Sequence, residues 1–188
     1  AGKTLSSLRF ALAHAKEHEK KRIIFVTPLL SILDQNAAEI RKFVNNDAII
    51  LEHHSNIIHP TESTEEYDKW EYYTETWHSP IIITTMVQFL NTLFSGKMSS
   101  VRRLHALCES IIVIDEVQTV PVKMLSLFNS AMNFLQTVCK ATIVLSSATQ
   151  PTVEGNRFPL KNISGDIVCC GKEIRELFRR TTISSLDS

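Results

Sequence analysis

No run of 18 apolar residues occurs in the 188-residue chain, so no helical membrane span is expected. No charge excess exists either. Twenty Lys and Arg balance twenty Asp and Glu, which leaves no global field to draw in nucleic acid, so any such contact must be local. The four cysteines, Cys108, Cys139, Cys169 and Cys170, contain no C-x-x-C spacing. With no paired framework either, neither a zinc site nor a disulfide scaffold is suggested, and reduced thiols in a cytoplasm fit best. His53 and His54 are neighbours on an extended segment, where successive side chains point to opposite faces, so they do not build a joint metal cage. No secretory leader is expected in residues 5–22, which mix apolar residues with Arg9, Lys16, Glu17 and Lys20 in an amphipathic pattern. Internal repeats and low-complexity tracts are missing as well. What remains, 44% hydrophobic and 21% charged, is the composition of a soluble globular protein of a length suited to one domain.

The order of elements follows from hydrophobic spacing. Leu5, Leu8, Leu12 and Ala15 recur at helical intervals, and "KEHEKKR" closes that helix before the apolar run "IIFVTP". A second helix from Pro28 and Leu29 to about Val44 carries Leu30, Leu33, Ala37, Ile40 and Phe43 on one face. Strand "DAIILEHHS" follows. Residues 56–79 interrupt the rhythm as an inserted loop and short helix. After them come strand "PIIITT", a helix over about 86–94, a basic turn with a short helix to Leu107, strand 110–114, helix 122–138 and strand "ATIVLSSAT". Short apolar strands alternating with helices predict βαβ units, hence an α/β fold with a mostly parallel sheet and helices on both faces.

Ile111, Ile112, Val113 and Ile114 show no period-2 alternation, as expected of a central strand covered on both faces, yet Asp115 and Glu116 follow directly. Ligands of open α/β sheets gather outside the carboxyl ends of the strands, where these two carboxylates would sit. The alternative is a solvated loop or capping of a helix near Pro121. Gly2, Lys3 and Thr4, followed at once by a helix, match the end of a G-x-x-x-x-G-K-[ST] loop. In such a loop backbone amides cradle phosphate, Lys3 reaches the β and γ phosphates, and Thr4 offers its hydroxyl to Mg²⁺. Asp115 would hold that Mg²⁺, and Glu116 would deprotonate the water attacking the γ phosphorus of ATP. Two carboxylates can divide these tasks when they leave a strand on different faces. Ser146, Ser147 and Thr149, at the next strand end, would relay nucleotide state, an ordinary Ser/Thr turn being the alternative.

GKT, then DEVQ, then SAT, in that order, resembles the first motor domain of superfamily 2 helicases. Within that superfamily the strings "IIFVTPLLSILDQNA", "LEHHSN", "SPIIITTMVQFLNTLFSGK", "IIVIDEVQ" and "LSSATQP" are similar to the helicase portion of the CRISPR-associated helicase-nuclease family of type I systems. The resemblance implies a RecA-like P-loop NTPase domain over residues 1–178, entered inside its Walker A loop, with 179–188 beginning a linker to a second motor domain. It further implies ATP and Mg²⁺ as cofactors, movement on single-stranded DNA, a CRISPR RNA-guided surveillance complex as partner, and a prokaryotic cytoplasm. By the same likeness Thr27, Pro28, Thr84, Thr85 and Gln88 hold phosphates of the DNA strand, and Ser147, Ala148, Thr149 and Gln118 couple nucleotide state to movement. Gln118 stands where many relatives have His.

Half a motor should bind ATP weakly and hydrolyse none by itself. Trp70, Tyr73 and Trp77, at i, i+3 and i+7, suit packing better than base stacking, because Glu65, Glu66, Asp68, Glu71 and Glu75 around them repel phosphate. "KMSSVRRLH" reads as a local basic patch or a solvated face. Two other readings stay open on the sequence alone: a superfamily 2 motor acting on RNA or duplex DNA, and a non-catalytic α/β interaction module.

Overall fold

The computed structural model of the chain describes residues 2–55, 64–147, 158–161, 165 and 167, the side chains of 64–67 excepted. Strands β1 (Arg22–Thr27), β2 (Ile50–His53), β3 (Ile81–Thr85), β4 (Ser110–Ile114) and β5 (Thr142–Leu145) form one sheet in the order β2-β3-β1-β4-β5. Every pairing is parallel. The helices described are α1 (Lys3–Glu17), α2 (Leu30–Val44), α3 (Thr64–Thr76), α4 (Met86–Phe94), α5 (Met98–Leu104) and α6 (Leu125–Thr137). Among the described residues, no helix is long and apolar enough to cross a membrane.

The unbroken apolar runs divide between two cores. Ile24, Val26, Ile82, Ile112 and Ile114 face one layer with Trp77, Phe89 and Met132. Their neighbours Ile23, Phe25, Ile81, Ile83, Ile111 and Val113 face the other with Leu8 of α1 and Leu33, Ala37 and Ile40 of α2. Side chains do alternate along each strand, but both directions lead into hydrocarbon, so the sequence has no polar positions to mark the period.

Several boundaries and faces differ from the sequence reading. The predicted strand 47–55 is shortened, because the Asn46 side chain accepts from the Ala48 amide at 3.1 Å and winds Asp47–Ile49 into a 3₁₀ turn before β2 begins. Helix 122–138 starts instead at Leu125, after a 3₁₀ turn closed by the Met124 amide on the Pro121 carbonyl at 2.8 Å. The segment read as a loop with a short helix holds the thirteen-residue α3. Leu12 and Phe43, assigned to apolar faces, are exposed, while Ala11 and Asn36 take the inward positions. Cys108 and Cys139 are free thiols, and burial, with Cys108 beside it, pushes the Cys139 thiol up to about 11. Cys169, Cys170 and the stretch 179–188 lie outside the described residues.

Candidate functional site

Three strand ends are stitched together where the chemistry was expected. The Asp115 amide donates to the Val26 carbonyl of β1 (2.9 Å), the Ser146 amide to the Ile114 carbonyl (2.8 Å), and the Val117 amide to the Ser146 carbonyl (3.2 Å). Directly after β4, Glu116 takes a left-handed backbone conformation at φ 50°. A non-glycine residue pays roughly 1–3 kcal/mol for such a conformation, so the surroundings must enforce it. They do so locally. The Glu116 amide donates to its neighbour's Asp115 Oδ1 (3.0 Å), and the Glu116 carbonyl accepts from both the amide and the hydroxyl of Thr119, each at 2.9 Å.

This twist corrects one expectation. The two carboxylates do not diverge onto different faces of the strand; they converge on a single ammonium. Lys3 Nζ lies 2.7 Å from Asp115 Oδ1 and 2.8 Å from Glu116 Oε1. Partial burial alone would lower the Lys3 pKa, but hydrogen bonds and charge from both carboxylates outweigh it and hold the ammonium above its ordinary value.

Gly2 brings Lys3 to that position. Its φ of 95° belongs to a region that favours glycine, and its carbonyl accepts from the Ser6 amide at 2.9 Å to start α1. The amides of the first helical turn lack partners within the helix and, with the helix dipole, favour an anion. Thr4 donates its hydroxyl to Asn36 Oδ1 of α2 at 2.8 Å. A cleft lined by Lys3, Thr4, Thr27, Asn36, Asp115 and Ser146 opens at this end of the sheet. Its Thr4 hydroxyl and Asp115 carboxylate are hard oxygen donors of the kind Mg²⁺ takes, so the residues present fit that ion.

From Glu116 a polar chain runs sideways. Gln118 donates its amide to Glu116 Oε2, and its carbonyl oxygen accepts from the Ser147 hydroxyl at 2.6 Å. Ala148 and Thr149 lie outside the described residues.

The strand-end residues on the β1 and β3 side stand in register, Val26 opposite Thr84 and Thr27 opposite Thr85. Thr27 is buried and its hydroxyl points to the Leu29 carbonyl at 3.4 Å, with Pro28 half-buried beside it. Thr84 is fully buried and donates to the His53 carbonyl at 2.8 Å, so its hydroxyl is committed to tying β2 to β3. Thr85 caps α4, accepting from the Gln88 amide at 3.3 Å, and the Gln88 side chain is partly exposed. The capping alternative for Thr85 is therefore present in the geometry.

His53 and His54 do point apart. His53 is buried with its ring 5.8 Å from that of Trp77, edge to face, while His54 Nε2 lies 3.9 Å from Glu52 Oε2. Trp77 is completely buried, as the packing reading required. The basic patch is not a free cationic face. Arg102 is ion-paired with Glu75, and Arg103 is buried with its guanidinium 5.8 Å above the Trp77 ring. Burial, followed by the charge of Arg103 and of His54, lowers the His53 pKa to about 3. Folded His53 thus binds fewer protons than the unfolded residue between about pH 3 and the ordinary value near 6.5. Its contribution to stability is complete above that ordinary value and is lost as pH falls through the window. Urea denaturation at stepped pH is expected to show a stability slope in this window that is steeper in wild type than in His53→Gln by up to about 1.4 kcal/mol per pH unit. An unchanged slope in the variant would assign the acid sensitivity to other groups.

Sequence reasoning missed Asn36 and Arg103. Asn36 had a signal, a polar residue three after Leu33 and four before Ile40 on an apolar stripe. Arg103 had none, since nothing local separates it from Arg102.

The DEAD/DEAH box helicase family model matches residues 1–156. The CRISPR-associated nuclease/helicase Cas3 of Haloferax volcanii is 23% identical over 146 residues, covering 77% of this chain and 15% of that protein. Among solved structures, T. fusca Cas3 superposes with a TM-score of 0.64 at 20% identity, over 78% of this chain and 17% of that one. The crystal structure of T. fusca Cas3-ATP gives 0.65 at 21% identity, over 88% and 20%. The chain thus spans about a sixth of the length of these relatives. The all-parallel sheet and these likenesses make the fold RecA-like α/β.

Proposed function

Because the chain belongs to the DEAD/DEAH box helicase family, we propose that it is the first motor domain of an ATP-driven translocase that moves on single-stranded DNA during CRISPR interference. The observation that carries this reading is the convergence of Lys3 on both Asp115 and Glu116, which joins the start of α1 to the end of β4. In the proposal the backbone from Gly2 and the side chains of Lys3 and Thr4 bind the phosphates of ATP. Thr4 and Asp115 hold Mg²⁺, whose contribution when bound is to neutralise charge on the phosphate oxygens. Glu116 accepts the proton of the attacking water, and its contacts with Gln118 fix its direction. Asp115, whose Oδ1 lies 2.7 Å from Lys3 Nζ, is the oxygen donor on this side of the cleft.

The chain Lys3, Glu116, Gln118, Ser147 offers a route from phosphate to the SAT segment of Ser147, Ala148 and Thr149. With Gln in place of His the route carries no titratable group at that position, so coupling through it does not vary with pH near neutrality. Thr27, Pro28, Thr84, Thr85 and Gln88 form a rim of strand ends and a helix start suited to a nucleic-acid backbone. With the Thr84 hydroxyl committed inward, contacts there fall to backbone amides and to Thr85 and Gln88. The resemblance to the CRISPR-associated helicase-nucleases supplies the choice of DNA, the surveillance complex as partner and the prokaryotic cytoplasm as setting.

The test is phosphate release by the intact protein with Mg²⁺ and ATP, alone and with single-stranded DNA or RNA of equal length. Stimulation at least tenfold greater by DNA is expected. Equal stimulation by RNA would assign the motor to a different substrate, and no hydrolysis at all would end the reading.

A further inference from the structure

Asn36 presents an unexplained feature. It lies on the face of α2 that also carries Leu33, Ala37 and Ile40, all fully buried, and is itself only 7% exposed. A leucine there would bury more apolar surface at no polar cost, whereas a buried carboxamide is tolerated only when hydrogen-bonded. Its oxygen accepts the Thr4 hydroxyl at 2.8 Å across 32 residues of sequence, and both side chains line the cleft that Lys3 and Asp115 share.

A threonine hydroxyl has one proton and two lone pairs. To serve a divalent cation it must present a lone pair to the ion and send its proton elsewhere, because a proton aimed at the ion is repelled. Without a fixed acceptor the hydroxyl rotates and spends part of its time in the wrong direction.

We propose that Asn36 is a positioning residue for the metal side of the nucleotide site: by taking the Thr4 proton on its buried Oδ1, it holds the Thr4 lone pairs toward a phosphate-bound divalent cation. This rests on the ATP-binding reading above and adds a residue of α2 to it. Asn36 acts on the cation through Thr4, and its hydrogen bond in the cleft is with the Thr4 hydroxyl.

The experiment measures binding, not turnover. A fluorescent ATP analogue is titrated with the intact protein at stepped Mg²⁺ and in EDTA, for wild type, Asn36→Leu and Asn36→Asp, with melting midpoints alongside. In Asn36→Leu the half-saturating Mg²⁺ is expected to rise about tenfold, the scale of one lost hydrogen bond. Affinity in EDTA should stay within about twofold, and the melting midpoint should hold or rise. Asn36→Asp, which keeps the accepting oxygen, should bring the Mg²⁺ requirement back to within about threefold of wild type. Should the leucine variant not fold, Asn36→Ala takes its place with the same expectation for Mg²⁺.

Unchanged Mg²⁺ half-saturation in the variant lacking the acceptor, with wild type binding in a Mg²⁺-dependent way, overturns the inference and leaves the ATP-site reading standing. Equal losses in EDTA and in Mg²⁺ reduce Asn36 to a packing role and also overturn it. A wild-type protein that binds no nucleotide under any condition overturns both.

Discussion

Replacing Glu116 by Gln in the intact protein is expected to leave ATP affinity within about twofold of wild type while turnover falls by about 10² to 10⁴. The substitution keeps the length, the shape and one accepting oxygen of the side chain. Lys3 loses only one of its two carboxylate partners, since Asp115 Oδ1 remains at 2.7 Å. The backbone at φ 50° is held by Thr119 and by the Asp115 side chain, neither of which depends on the Glu116 carboxylate, so the local twist persists. What disappears is the capacity to accept a proton. Two companion variants separate the roles. Asp115→Asn should raise the Mg²⁺ needed and weaken nucleotide binding, and Lys3→Ala should weaken binding by removing the phosphate contact. Fluorescent-nucleotide affinity and DNA-stimulated phosphate release on all three variants make the comparison. Full ATPase activity in Glu116→Gln would reduce the carboxylates after β4 to helix-capping and loop residues.

Trp77→Ala is expected to cost about 3–5 kcal/mol of folding stability, a large part of the roughly 5–15 kcal/mol that holds a domain together. Trp77 is completely buried and belongs to the core layer that includes Ile82, Met86, Phe89 and Leu107. It also supplies the ring surface that His53 meets edge-on and the Arg103 guanidinium covers. Alanine would leave a cavity and take the aromatic face away from a buried cation. Urea denaturation followed by far-ultraviolet circular dichroism measures the loss, and Trp77→Phe should recover most of it. A midpoint equal to wild type, with single-stranded DNA binding weakened instead, would make Trp77 a base-stacking platform.

The strands were the most legible part of the chain, for a reason particular to parallel sheets. Runs such as "IIFV" and "IIVI" are apolar throughout because helices cover both faces, so bounds 110–114 and the helix over 86–94 agree with β4 and α4. Helix faces were less legible. An apolar residue at helical spacing need not be buried: Phe43 and Leu12 are exposed, while Asn36 and Ala11 are buried. At the site, residue types and their order along the chain were readable in Lys3, Asp115 and Glu116. Their convergence was not, because a left-handed glutamate is set by hydrogen bonds to Thr119 and Asp115 rather than by any propensity of its own. The Thr4–Asn36 contact crosses between two helices that no local pattern relates.

The stitching of Asp115 to β1 and of Val117 to the segment after β5 also has a mechanical meaning. Among the described residues, Asp115, Val117 and Ser146 are tied to neighbouring strand ends by backbone hydrogen bonds and not by slack chain, so the floor of the cleft is braced across three strands. Above it, Lys3 is held by Asp115 and Glu116 and the Thr4 hydroxyl by Asn36, so the side chains over the floor are pinned as well. A push at one of these strand ends is therefore shared with its neighbours, the way a stiff plate spreads a load applied at its rim.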